Sequence, residues 1–340
     1  MMRSALHTCR SGFTLLEIMV VLVILSVILG LGVGVFSKVG SGPEIALSRI
    51  RDVVYQARFH AKQEKAPSAV IVDTQRDTVT GLGWKGVGCW HFEEVDATGS
   101  SFGFPEEVVI GCGVIRDKGV IGSCLEFSSD QDSKTEAFIP NAPSLDSVDG
   151  IAAECYVYLL SGGACRFFSK GTGYALGVNE QGYLEGMLQI VKEDDPSSSR
   201  VTIDSSPYAL PIGRWVKVGL QFNGYAFHLL AGGIIRNHEL FPQRMRLERH
   251  AGLPISLAPP GPSGEPLNAC LDELHLSAVV VGEEVPFHET IDLEGPSKIL
   301  HFDARGYLDE NFHTRPETIE MLYDGTRRLT LTLGMMGELR

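Results

Sequence analysis

The sequence predicts an α+β fold: a long N-terminal transmembrane helix, a second amphipathic helix flanked by strands, and an all-β sandwich in the middle of the chain. Three features support this prediction. Residues 13–36 form one apolar run, residues 44–65 form an amphipathic segment, and residues 88–284 contain many short alternating segments between turn residues. As a helix, the first run would span about 36 Å, more than the ~30 Å hydrocarbon core of a bilayer.

The apolar run contains a single ionisable residue, Glu17, about one helical turn from Phe13. A carboxylate at mid-bilayer costs about 3 kcal/mol and is usually functional. Two interpretations stay open from the residues alone: a tolerated charge near the membrane interface, and a functional carboxylate. Arg3 and Arg10 precede the run, so the short N-terminal end is expected to remain cytoplasmic.

Residues 12–25, GFTLLEIMVVLVIL, resemble the N-terminus of type IV prepilins and type II secretion pseudopilins. The resemblance implies that a prepilin peptidase cuts after Gly12, that Phe13 becomes the N-methylated mature N-terminus, and that Glu17 acts in filament assembly. A buried Glu17 could then pair with the α-amine of a neighbouring subunit, as a buried carboxylate requires. The implied partners are the peptidase, other pilin or pseudopilin subunits and the inner membrane.

The charge balance excludes one class of partner. The formal net charge is −13, and nucleic-acid binding depends on basic patches, so we expect no nucleic-acid partner.

Cysteine usage fits a chain exposed outside the cytoplasm. Of seven cysteines, Cys9 would leave with the leader and six would stay in an oxidising compartment. Cys155 and Cys165 flank LLSGGA, which predicts a hairpin with a cross-strand disulfide. Buried free thiols are the alternative.

Periodicity defines the elements on either side of the predicted sandwich. Apolar residues recur at helical spacing in residues 44–65, namely Ala46, Ile50, Val53, Ala57 and Ala61. Residues 68–84 predict two strands around a turn at 75–77. Residues 327–334, RRLTLTLG, alternate with period two, which predicts a strand with Leu329, Leu331 and Leu333 on one face.

The outer segments are similar to minor pseudopilin H of type II secretion, through residues 47–73, 299–310 and 327–340. The middle resembles a laminin-G-like, concanavalin-A-like jelly roll. The matching segments are CWHFEE at 89–94, CLEFSS at 124–129, FFSKG at 167–171, YALGVNEQGYLEG at 174–186, PIGRWVKVGLQFNG at 211–224 and LDELHLS at 271–277.

Together these resemblances imply an α+β pilin fold, in which the long N-terminal transmembrane helix packs on an antiparallel sheet, with an all-β jelly-roll sandwich inserted into that sheet. The expected order is a leader at 1–12, a transmembrane helix at 13–36, a pilin-like helix and first strands at 37–87, the insert at 88–284 and pilin-like C-terminal strands at 285–340. The alternative is a pilin stub followed by a sandwich and an unrelated tail.

Catalytic motifs do not emerge from the sequence, and we expect no enzyme and no cofactor. Glucanases of this fold use carboxylates on one strand face, but Asp272 and Glu273 are adjacent, and Glu94 and Asp96 lack a third partner. No Cys/His spacing predicts zinc. Calcium stays open through acidic loops, with solvated loops as the alternative. The four residues concerned are Asp130, Asp132, Asp194 and Asp195.

Five aromatic residues could stack on sugars, although most aromatic residues in a sandwich belong to the core. They are Trp84, Trp90, Tyr174, Tyr183 and Trp215.

The sequence therefore supports two functional hypotheses. The first is a minor structural subunit of a type IV pilus or type II secretion-like filament. It would cross the inner membrane once and keep its bulk in the periplasm or on an extracellular filament. The second is a filament-borne adhesin whose jelly roll binds a glycan or a surface protein.

Overall fold

A computed structural model describes residues 43–95, 100–110, 113–128, 137–192, 197–260, 267–287 and 291–340. The predicted membrane segment lies outside these ranges. Within them, no helix combines the length and the apolarity needed to cross a bilayer.

The amphipathic segment forms one helix, α1, from Pro43 to Glu64. Its buried residues include all five that the periodicity predicted, together with Val54, so that prediction is confirmed. Pro43 occupies the helix start, where its missing N–H is not needed. Beyond the helix, the Ser68 hydroxyl donates a hydrogen bond of 2.8 Å to the Ala57 carbonyl and ties the following strand to α1.

Twenty-two strands follow in the described ranges and are numbered in chain order. They are β1 (Ser68–Asp73), β2 (Thr78–Val95), β3 (Ser100–Phe104), β4 (Val108–Val109), β5 (Val114–Arg116), β6 (Cys124–Phe127), β7 (Ala137–Ile139), β8 (Ile151–Leu159), β9 (Cys165–Lys170), β10 (Tyr174–Val178), β11 (Tyr183–Lys192), β12 (Ser198–Ala209), β13 (Trp215–Phe222), β14 (Ala226–Ala231), β15 (Ile234–Leu240), β16 (Met245–Leu247), β17 (Ile255–Leu257), β18 (Ala269–Pro286), β19 (Ile291–Glu294), β20 (Lys298–Phe302), β21 (Glu317–Tyr323) and β22 (Arg327–Leu333).

The helix covers a core built from both ends of the chain. Ile50 and Val54 of α1 pack with Val70 of β1, Leu300 of β20 and Leu331 of β22 in one apolar cluster. Strand β1 pairs antiparallel with both β2 and β20, while β19, β21 and β22 form a separate antiparallel sheet. The alternation predicted for β22 is confirmed because Leu331 and Leu333 are buried.

A larger apolar core lies between two antiparallel layers and gives the middle of the chain a jelly-roll-like sandwich. One layer runs β15–β14–β13–β8–β18–β2. The other runs β12–β11–β10–β9–β17–β7–β4–β3. Strand β3 also pairs with β2, which joins the layers at one edge.

Strand β2 is longer than the sequence predicts. The turn after β1 is confirmed, but the strand continues past Trp84 to Val95. Trp90 is fully buried in this extension, and its indole N–H donates a hydrogen bond of 2.8 Å to the Glu106 carbonyl. The ring fits because Gly88 and Gly103 flank it: a Cβ would lie 2.2 Å from the ring at Gly88 and 1.8 Å at Gly103.

The predicted hairpin between Cys155 and Cys165 is wrong. Strand β8 pairs with β13 and β18, whereas β9 pairs with β10 and β17, so residues 160–164 cross from one layer to the other. Both thiols are buried, and all five described cysteines are free. The thiols in contact are those of Cys124 and Cys270 on the neighbouring strands β6 and β18, and a hydrogen bond between them raises the pKa of Cys124.

We call α1, β1, β20 and the β19–β21–β22 sheet, with the residues that connect them, the scaffold. A cluster of aromatic rings joins the sandwich to this scaffold. Phe312 stacks on His301 of β20 with ring centroids 4.1 Å apart, and lies 4.7 Å from His228 of β14. His238 of β15 and His313 contact the same group. We call this set of residues 228, 238, 301, 312 and 313 the histidine seam. His228, His301 and His313 are buried in the seam, and burial lowers the pKa of His228 and His301, so both are held uncharged.

Removal of a buried side chain from α1 should destabilise the scaffold. Ile50 is fully buried, whereas Phe59 on the same helix is 67% exposed. We expect Ile50→Ala to lower the free energy of unfolding by about 2–5 kcal/mol because it opens a cavity. The control Phe59→Ala should stay within roughly 0.5 kcal/mol. Denaturant unfolding measures both, and equal effects would contradict the packing described for α1.

Acid should weaken the histidine seam. Burial lowers the pKa of His228 to about 3, helped by His238, and burial lowers the pKa of His301 well below its usual value. An unfolded histidine titrates near pH ~6.5, so below that pH the unfolded chain binds more protons than the folded one. Stability should therefore be complete above about pH 6.5 and fall by up to about 1.4 kcal/mol per pH unit for each group.

Unfolding followed from about pH 7.5 to about pH 5 tests this linkage. His228→Phe, which keeps a ring of similar size, should flatten the acid slope. His250→Gln, outside the seam, should leave the slope unchanged. An unaltered slope in His228→Phe would show that the seam is not the acid-sensitive element.

Candidate functional site

A cleft of about 500 Å³ lies between the outer face of the β14–β13–β8–β18–β2 layer and the scaffold. The sandwich contributes Glu154, Lys217 and His228 to its lining. The scaffold contributes Asn311 and Phe312. The cleft therefore exists only because the sandwich and scaffold are packed together, and it is the candidate functional site.

A row of paired residues crosses the outer face of this layer at right angles to the strands, and two of its members, Glu154 and His275, line the cleft. Pairing in register places Gly219, Glu154, His275 and Cys89 side by side on β13, β8, β18 and β2. Because these positions are in register, their side chains share the outer face of the layer. The opposite face of the same strands packs in the sandwich core.

Glu154 is the centre of the row. Its carboxylate lies 2.6 Å from Lys217 Nζ and accepts a hydrogen bond of 3.1 Å from the Gln221 amide. Burial opposes the charge of Lys217, but the Glu154 carboxylate outweighs burial and raises the pKa of Lys217. Glu154 is therefore engaged with neighbours on its own sheet. A bound ligand would meet an ion pair and amide groups here, which can donate and accept hydrogen bonds.

The candidate sugar-stacking residues are mostly core residues. Trp90 and Tyr174 are buried in the sandwich, and Trp215 packs edge-on against Tyr158 with ring centroids 5.6 Å apart. Trp84 lines the cleft but is only 6% exposed. Tyr183 and Trp215 are half-buried, and the other three residues of this set are buried.

Glu273 faces two histidines that sequence reasoning missed. Its carboxylate contacts His91 on β2 and His275 on its own strand β18. Cys-x-His at residues 89–91 and Glu-x-His at residues 273–275 were visible signals, because alternate residues share a strand face. The sequence could not show that these two strands pair.

The adjacent carboxylates Asp272 and Glu273 have different partners. Asp272 is fully buried and accepts hydrogen bonds from the amides of Val120 and Ile121 at 2.7 and 3.2 Å. Burial raises the pKa of Asp272, and the three amides that it accepts from oppose that shift. Asp272 therefore anchors a loop and does not form a carboxylate pair with Glu273.

Several predicted site residues lie outside the described residues. They are Gly12, Phe13 and Glu17 of the N-terminal motif, and the calcium candidates Asp130, Asp132, Asp194 and Asp195. The side chains of Glu94 and Asp96 also lie outside them. Their proposed roles stay predictions.

Comparison with known families addresses the N-terminus directly. Residues 8–33 match the prokaryotic N-terminal methylation motif. This match confirms the resemblance to prepilins, and it spans Gly12, Phe13 and Glu17. The motif implies processing by a prepilin peptidase and a place at the membrane or on an extracellular filament.

No curated protein sequence matches the chain. Among solved structures, the chain is similar to the binding domain of Paraclostridial Mosquitocidal Protein 1, with 10% identity and a TM-score of 0.43 over 56% of this chain and 48% of that one. The chain thus spans about half of that domain. It is also similar to domain 4 of AbnA, an extracellular arabinanase from Geobacillus stearothermophilus solved with arabinotriose, with 18% identity and a TM-score of 0.40 over 57% and 93% of the two chains.

A third similar structure is Trypanosoma rangeli sialidase, with 11% identity and a TM-score of 0.36 over 56% of this chain and 30% of that chain. Identities this low do not transfer an activity or a ligand to this protein.

Proposed function

We propose that the protein is a minor subunit of a type IV pilus or type II secretion-like filament and that it displays its sandwich on the filament surface. The observation that carries this proposal is the methylation motif at residues 8–33. Phe13 would be the methylated N-terminus after cleavage behind Gly12. Glu17 would pair with the α-amine of a neighbouring subunit, since a charge buried among apolar helices needs a partner.

The scaffold supports the same role. Helix α1 follows the apolar run and packs on an antiparallel sheet, an arrangement in keeping with the pilin fold that the sequence suggests. The sandwich leaves this scaffold along β2 and returns along β18, its antiparallel neighbour. Entry and exit therefore lie side by side, which is the geometry in which a domain can be inserted into a loop. A bulky insert fits a minor component better than a densely packed major subunit.

An adhesive role is the second candidate, and the cleft favours it. Its lining mixes an ion pair, amide side chains and a half-buried aromatic ring, a combination that suits the hydroxyl groups and apolar faces of a sugar. In this proposal the filament carries the jelly-roll-like sandwich to its ligand. Neither role requires the protein to catalyse a reaction.

Loss of Glu17 should abolish assembly. We expect Glu17→Ala to be made, cleaved and retained in the membrane, but to fall at least about tenfold in sheared filament fractions, since a lost buried ion pair costs several kcal/mol. Glu44→Ala, at the start of α1, is the matched control because Glu44 is exposed. Quantitative immunoblotting of membrane and filament fractions measures the outcome. Unchanged incorporation of Glu17→Ala would refute the filament role.

A sugar ligand should stabilise the full chain in detergent. A ligand at 100 times its dissociation constant adds about 2.7 kcal/mol, which corresponds to a rise in Tm of roughly 5–10 °C if the sandwich of about 200 residues unfolds as its own unit. We expect such a shift with at least one member of a glycan panel, and its loss in Gln221→Ala. Thermal unfolding with each glycan measures it. A flat panel would remove glycan binding as the adhesive role while leaving the filament role intact.

A further inference from the structure

Three side chains on the cleft-facing layer are linked in the order thiol, imidazole, carboxylate. Cys89 Sγ lies 3.2 Å from His91 Nε2, and His91 Nδ1 lies 2.8 Å from Glu273 Oε1. With Nδ1 protonated, His91 donates to Glu273 and leaves Nε2 free to accept the thiol proton. A nucleophile within reach of a base, itself oriented by a third group, is the general arrangement of covalent catalysis. We call these three residues the thiol triad.

The backbone is distorted on both strands beside this contact. Glu273 has φ of 50° and lies where the pairing of β18 shifts register between Asp272 and His275. Phe92, next to His91 on β2, has φ of 57°. Positive φ is unfavourable for residues other than glycine and is concentrated at functional sites. Bulges are common next to active sites, and here the Glu273 carboxylate contacts the imidazole of His91.

The carboxylate of the triad is held from several sides. Glu273 is only 8% exposed, and its second oxygen lies 3.2 Å from His275 Nε2. Its backbone N–H donates a hydrogen bond of 2.8 Å to Asp272 Oδ1. A carboxylate held in this way can fix the rotamer and the tautomer of His91. Glu273 is therefore a positioning residue that acts through the imidazole.

The thiol of the triad is the accessible one among the described cysteines. Cys89 is partly exposed and the His91 side chain is 44% exposed, whereas Cys124, Cys155, Cys165 and Cys270 are buried. His275 lines the cleft, and its Nε2 lies 3.9 Å from Cys89 Sγ. A small molecule leaving the cleft past His275 would therefore reach this thiol.

The thiol needs a base to react at neutral pH. Burial and the nearby Glu273 carboxylate raise the pKa of Cys89, so the sulfur stays protonated in the resting protein. Thiolate is the nucleophilic form, and His91 Nε2 is placed to remove the proton as attack begins.

We propose that Cys89 is a nucleophile that accepts an acyl group from an ester or a thioester, with His91 as the base. The sulfur attacks the carbonyl carbon, the thiol proton moves to His91 Nε2, and the carbon–oxygen or carbon–sulfur bond of the substrate breaks. His91 returns the proton to the leaving alkoxide or thiolate. Cys89 is left as a thioester, which water or another nucleophile can cleave. The filament role does not require this activity, and the two proposals are independent.

The test uses the full chain in detergent with p-nitrophenyl acetate as the probe. We expect release of nitrophenolate with a burst of about one equivalent, and peptide mass spectrometry should place one acetyl group on Cys89. His91→Gln should slow acetylation by roughly 10²-fold, the usual lower contribution of a general base. Cys89→Ala should abolish the burst. Glu273→Gln should slow it less, since the amide can still accept from His91.

Two controls separate chemistry from folding. Each variant should keep the Tm of the parent chain, and His250→Gln, remote from the triad, should keep the parent rate. The pH profile of acetylation should rise on its acid side in the parent and lose that limb in His91→Gln, which a structural role would not produce. Acetylation spread over several cysteines, a rate unaffected by His91→Gln, or stoichiometric Zn²⁺ binding to Cys89 and His275 without acetylation would each overturn the proposal.

Discussion

The antiparallel pairing of β2 with β18 is the constraint on which the rest of the structure depends. It runs from Thr78 opposite Pro286 to Trp90 opposite Leu274, so the same two strands belong to the scaffold at one end and to the sandwich at the other. Breaking it would disrupt both cores at once. An inserted domain joined by flexible linkers would keep the cores independent, whereas here backbone hydrogen bonds fix their relative position.

Because the two cores are fixed in this way, polar side chains on the outer face of the sandwich layer are partly enclosed. The outer face of the sandwich layer cannot be freely solvated, because the scaffold and the segment around Phe312 lie over part of it. Side chains on that face must find partners, and Glu154 does so with Lys217 and Gln221. His228 Nε2 is buried without a hydrogen-bond partner in the described structure. Burial of this imidazole disfavours its protonated form. The stability of the seam therefore depends on pH.

At the far end of the same face, a bulge in β18 lies at the residues that contact the two histidines. The bulge in β18 places Asp272 under the loop at residues 120–121 and turns Glu273 to the two histidines. A regular strand would put these neighbours on opposite faces and Glu273 directly across from His91. In the bulge, Glu273 has a positive φ and its carboxylate contacts both rings. The cost of that backbone conformation is offset by the buried contacts that it permits.

The sequence by itself determined the N-terminal motif, helix α1 and the alternation of β22, because each depends on residues close together in the chain. A peptidase motif, a period of 3.6 and a period of two are local properties. The turn after β1 also depends only on neighbouring residues. The prediction of a hairpin between Cys155 and Cys165 was wrong. A Gly-rich turn has the same sequence pattern whether the next strand stays in the same layer or crosses to the other layer.

Only the tertiary structure decided the cleft, the histidine seam and the thiol triad. Cys89 and His275 are separated by most of the sandwich in sequence, yet they are opposite each other in register. Nothing in a single sequence specifies which distant strands pair, since pairing is selected by the burial of whole faces and by the closure of both cores. The residues were visible from the start, but their proximity was not.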